Sequence, residues 1–112
     1  MSKSPITTHV LDTASGRPAR GVPVTLERKD GGAFREVGSG ETDDDGRITD
    51  LMEPGALEPG VFRISFDTGA YYAGEPTFYP SVQIEFRVKS ADEHYHVPLL
   101  LSPFGYSTYR GS

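Results

Sequence analysis

Short stretches of β-branched and aromatic residues, set apart by Gly, Pro and Asp clusters about every ten residues, run the length of this chain. That punctuation is what a sandwich or barrel needs, because each strand crosses one layer and then turns. Eight strands are predicted, at residues 6–12, 22–29, 34–42, 47–51, 61–67, 82–88, 94–101 and 105–110. Arg17-Pro18, the run 29–32, Asp45-Gly46, Pro54-Gly55 and Pro59-Gly60 supply the turns between them. The segment 67–74 breaks the pattern: Asp67 or Thr68 can cap a helix start and Gly74, followed by Pro76, can end it, so one short helix is expected there. The predicted fold class is all-β.

Length and composition narrow the possibilities further. A chain of 112 residues makes one domain, 1–112, with a single core that removes about two thirds of the unfolded surface from water. The absence of cysteine excludes a disulfide framework, a thiolate metal site and a cysteine nucleophile. A net charge of -5 without a Lys/Arg cluster argues against nucleic acid as a partner. No apolar run approaches the length that crosses a bilayer, and the first residues lack the apolar stretch of an export signal, so a cytoplasmic protein with no membrane partner is expected.

Within the predicted strand 94–101, side chains alternate: His94, His96, Pro98 and Leu100 share one surface while Tyr95, Val97, Leu99 and Leu101 share the other. In the first strand Thr7, His9 and Leu11 oppose Ile6, Thr8 and Val10; the spacing leaves open whether His9 faces as His96 does. Pro98 is anomalous, because proline cannot donate to a ladder and usually marks an edge or a bulge. The chain end is predicted to be a paired strand that holds Arg110 and the Ser112 carboxylate in place, against the frayed tail that is the default.

Three constellations can carry chemistry. His9 and His96, with His94 beside them and Arg47 as a cation, suit metal-free hydrolysis, since neutral imidazole accepts a proton from water near pH 7 and a guanidinium holds an anion or a developing oxyanion. Against this stands the plain alternative that strand histidines are surface residues and that Arg47 pairs with the neighbouring acids in solvent. His-x-His plus a third histidine is also a zinc ligand set; strand alternation does not bring His9 to the same ion, and an adjacent arginine repels a dication, so this ranks below the metal-free option. Glu41, Asp43 and Asp45 mimic the opening of a calcium loop, but position twelve is Met52 and no helices flank it, so the acidic run is read as a turn.

Thr8-His9-Val10-Leu11-Asp12 with Gly16 and Pro18, Gly46-Arg47, the run from His94 to Pro103, and the terminal Tyr109-Arg110-Gly111-Ser112 resemble, over nearly the whole chain, the 5-hydroxyisourate hydrolases, the enzyme branch of the transthyretin-like family. The resemblance implies a β-sandwich of two four-stranded sheets with one short helix, assembled as a homotetramer, a dimer of dimers with a central channel. It implies a small-molecule substrate, no cofactor and no metal, catalytic His9, Arg47 and His96, and substrate contacts from His9, Arg47, Tyr109, Arg110, Gly111 and Ser112. The reaction it implies is opening of the lactam ring of 5-hydroxyisourate to 2-oxo-4-hydroxy-4-carboxy-5-ureidoimidazoline in urate catabolism. The carrier branch, which binds small aromatic ligands in the channel without catalysis, is the alternative; there lysine, glutamate and threonine replace His9, Arg47 and His96, and the terminal motif differs.

Overall fold

The computed structural model describes residues 4–112. Two sheets pack face to face. The first is built on β1 (Ile6–Asp12), with β8 (Tyr95–Ser102) beside it and β9 (Gly105–Thr108) beyond; β2 (Arg17–Pro18) and β5 (Arg47–Ile48) both pair with the other side of β1. The second runs β4 (Ala33–Glu41), β3 (Pro23–Asp30), β6 (Gly60–Phe66), β7 (Val82–Val88). A short helix, α1 (Thr68–Tyr72), connects β6 to β7.

Alternation explains why these segments sit where they do. In β6, Phe62, Ile64 and Phe66 are buried while Val61, Arg63 and Ser65 are only partly covered. In β8, Tyr95, Val97, Leu99 and Leu101 turn inward to meet them, together with Ile6 and Val10 of β1 and Val24 and Leu26 of β3. Burying each such side chain stabilises the fold by about 1.5–3 kcal/mol. The polar side chains on the inward face of β1 are paired: the Thr8 hydroxyl donates to the Val97 carbonyl at 2.7 Å, and the Asp12 carboxylate accepts from the Tyr71 hydroxyl and the Ala14 and Ser15 amides. In α1, the Asp67 carboxylate caps the Ala70 amide at 3.0 Å, and Ala73, with φ 50°, closes the helix in the left-handed region one residue before Gly74.

Four details differ from the sequence-based expectation. The two-residue strand β2, which gives the first sheet five strands, carries no pattern long enough to read. The predicted strand 47–51 stops at Ile48; beyond it Leu51 is buried, and its backbone carbonyl lies where any side chain at position 38 would stand, so Gly38 is required there. Pro98 lies in an internal strand, between β1 and β9. It nevertheless acts as a breaker: β9 pairs with β8 as far as Thr108, lapses opposite Pro98, and resumes in the same register with Gly111 donating to the His96 carbonyl at 2.9 Å. Meanwhile the Thr108 hydroxyl, at 2.7 Å, takes over the Pro98 carbonyl. The chain end is therefore paired at Gly111, while the strand proper ends at Thr108 and not at Arg110. No helix among the described residues is long and apolar enough to cross a membrane.

Candidate active site

The outward face of the first sheet collects the candidate residues through strand register. β1 and β8 run parallel with Thr7 opposite His96 and His9 opposite Pro98, so His9 stands two residues, roughly 7 Å, along the sheet from the position facing His96. On the other side of β1, Arg47 is directly opposite His9. Residues paired across a ladder project to the same face, so His9, Arg47 and His96 all rise from one surface, the question that sequence spacing left open.

Arg47 owes its place to the turn before it. The Asp43 carboxylate accepts from the amides of Asp45 and Arg47, each at 2.9 Å, and the hydrogen bond from Arg47 chiefly holds its pKa below the usual carboxylate value. Gly46, with φ 73°, lies so close to the Val10 carbonyl that no side chain fits, and its own carbonyl accepts from Val10 at 2.7 Å. The acidic run is thus a turn that docks on β1. Asp44 pairs with Arg20 at 2.8 Å, and the Asp43 carboxylate feels the Arg47 charge through space without forming a salt bridge with it.

His96 is covered by the chain end. A Cβ on Gly111 would lie 2.5 Å from the His96 ring and 3.3 Å from the Pro98 ring, so only glycine allows the tail to lie across the imidazole. A cleft of about 290 Å³ opens beside it, lined by Thr7, Thr8, Arg47, Thr49, His94, His96 and Ser112. His9 stands at its flank through its pairing with Arg47 and is half-buried. Tyr109 and Arg110 line a second, more apolar hollow on the other side of His96, with Tyr95, Val97 and Phe86. Arg110 donates to Glu93 at 2.9 Å and lies 4.6 Å over the Tyr95 ring, which pins the tail. Tyr109 is 58% exposed.

Sequence reasoning gave Thr7 no role. Its hydroxyl lies 2.8 Å from Nδ1 of His96 and 3.0 Å from Nε2 of His94, joining the two histidines. Threonine in a strand is so common that only its register opposite His96 distinguishes it. Among the described residues no group of three or more His, Asp or Glu side chains is arranged to hold a metal ion.

Comparison with known proteins agrees with this architecture. Residues 6–111 match the model of the HIUase/Transthyretin family. A 5-hydroxyisourate hydrolase of Salmonella dublin is 47% identical over 96% of this chain and 80% of its own length. Among solved structures, the 5-hydroxyisourate hydrolase of Klebsiella pneumoniae superposes with a TM-score of 0.84 at 35% identity over the whole of both chains. Sea bream transthyretin, solved with thyroxine, superposes at 0.90 with 32% identity, covering 96% of this chain and 95% of that one. With a family match over nearly its full length, and with imidazoles, guanidinium and chain end gathered on one face of a transthyretin-type sandwich, this chain belongs to the HIUase/Transthyretin family.

Proposed function

We propose that this protein is an enzyme that hydrolyses 5-hydroxyisourate, opening the six-membered lactam ring to 2-oxo-4-hydroxy-4-carboxy-5-ureidoimidazoline. The observation that carries the reading is the outward face itself: Arg47 stands opposite His9 and lines one cleft with His96. Water adds to the lactam carbonyl as one imidazole takes its proton; the ring C–N bond then breaks and the departing nitrogen receives a proton from a histidine. His9 and His96 share these two tasks, and Arg47 orients the substrate and offsets the negative charge that develops on the attacked oxygen. A positioned base supplies about 10² to 10⁴ in rate, and one stabilising donor about 10² to 10³. Tyr109, Arg110, Gly111 and Ser112 complete the substrate contacts, with Gly111 seating the tail on His96 and Ser112 at the rim of the cleft. No cofactor or metal enters this scheme.

The assembly expected with this reading is a homotetramer, a dimer of dimers, in the cytoplasm. The exposed Phe78, Phe104, Tyr106 and Tyr109 near the free edge of β9 support self-association, since apolar rings in such number are seldom left in water. Light scattering at the mass of one chain, from a fully active sample, would contradict it.

The structural likeness to sea bream transthyretin favours one other reading, a carrier. Following the absorbance of freshly generated 5-hydroxyisourate separates the two. Decay far above the spontaneous rate, undiminished after exhaustive chelation, is expected of the metal-free enzyme; tight binding of an aromatic ligand with no acceleration identifies the carrier.

A further inference from the structure

We propose that Thr7 and His94 are positioning residues for His96, fixing which of its nitrogens carries the proton; this rests on the reading above, in which His96 exchanges a proton with water. Thr7 is nearly buried, at 5% exposure, and among the described residues its hydroxyl meets only Nδ1 of His96 and Nε2 of His94. A hydroxyl has one proton to donate. Where that proton goes to one of these ring nitrogens, the other donates to the threonine oxygen, and the two neutral rings then hold the same tautomer.

Only one of the two arrangements prepares a base. With both rings protonated at Nδ1, His96 donates to Thr7, Thr7 donates to Nε2 of His94, and Nε2 of His96 is the proton acceptor. With both protonated at Nε2, Thr7 donates to His96 and the acceptor nitrogen is consumed inside the protein. In the first arrangement, a proton taken from water at Nε2 makes an imidazolium whose Nδ1 proton is already held by Thr7, so the cation forms without reorientation of the hydroxyl. His94, itself exposed, contributes by giving the threonine proton somewhere other than His96 to go.

The test compares Thr7→Val, which keeps the shape and loses the hydroxyl, with Thr7→Ser, which keeps it, and with His94→Phe. Thr7→Val and His94→Phe are expected to lower kcat about tenfold to a hundredfold with KM within about twofold, the scale at which loss of an orienting partner is felt; Thr7→Ser is expected to recover most of that loss. Long-range proton–nitrogen NMR of the full chain should show His96 of the wild type protonated at Nδ1, and Thr7→Val should lose that preference. A wild-type kcat in Thr7→Val, or a wild-type His96 protonated at Nε2, overturns the proposal. Should Thr7→Val fail to fold, His94→Phe at its exposed position decides on the same kinetic criterion. If the wild type does not accelerate hydrolysis at all, the activity reading falls, and the NMR comparison still decides whether Thr7 couples the two rings.

Discussion

The two faces of the β1/β8 pair are made by the same strands in the same register, and they do opposite work. Inward, Ile6, Val10, Val97, Leu99 and Leu101 are all but fully buried and close the sandwich. Outward, Thr7, His9 and His96 sit beside Arg47 and the chain end, with Pro98 and Gly111 present for what they lack: an N–H in one, a side chain in the other. Period-two alternation thus lets one pair of strands hold a core and a polar site back to back, and a change on either face should be read out in a different quantity.

That separation is open to attack from both sides. Leu99→Ala on the inward face should cost about 2–5 kcal/mol of stability, measured as a lower urea midpoint, and should reduce activity only in proportion to the folded fraction. Arg47→Gln, two strands away on the outward face, should lower kcat/KM for 5-hydroxyisourate by about 10² to 10³ while the urea midpoint stays within error. A large loss of stability there would show that the faces are not independent. Gly111→Ala lies between the two cases: its Cβ must displace the His96 ring or lift the tail, so a fall in kcat is expected, smaller than for Arg47→Gln, with little change in thermal midpoint because so few buried contacts hold the terminus.

The smallest effect concerns pH. Tyr71 donates to the buried Asp12 at 2.7 Å, and burial, followed by that carboxylate, pushes its phenol well above the ordinary tyrosine value. Because the folded pKa is raised, this contribution to stability is complete below the unfolded value of about 10 and is lost as pH rises beyond it. Urea midpoints at pH 9 and pH 11 should therefore fall more in the wild type than in Tyr71→Phe; equal falls would remove Tyr71 from the account.

Most of the fold could be read from the sequence because alternation and turn chemistry are local. The strand predicted at 61–67 and the helix cap offered by Asp67 or Thr68 needed no reference to anything distant. Arg47 and the His94/His96 face were likewise visible as candidates, and the resemblance carried by the terminal Tyr109 to Ser112 joined them. What stayed hidden depends on partners far along the chain. The parallel pairing that sets Thr7 opposite His96 spans 89 residues in sequence, and no local pattern encodes it; the same holds for the burial of Leu51 beyond the end of β5. Pro98 was legible as an anomaly and read as a mark of an edge or a bulge, but its consequence in an internal strand, a ladder that lapses and then resumes at Gly111, required knowing which strand lay beside it.

The most direct test of the account joins two measurements on one sample of His96→Ala: the rate of 5-hydroxyisourate decay and the urea midpoint. The account expects the rate to fall by about 10² to 10⁴ with the midpoint unmoved. Hydrolysis at the wild-type rate by a fully folded His96→Ala protein would contradict it.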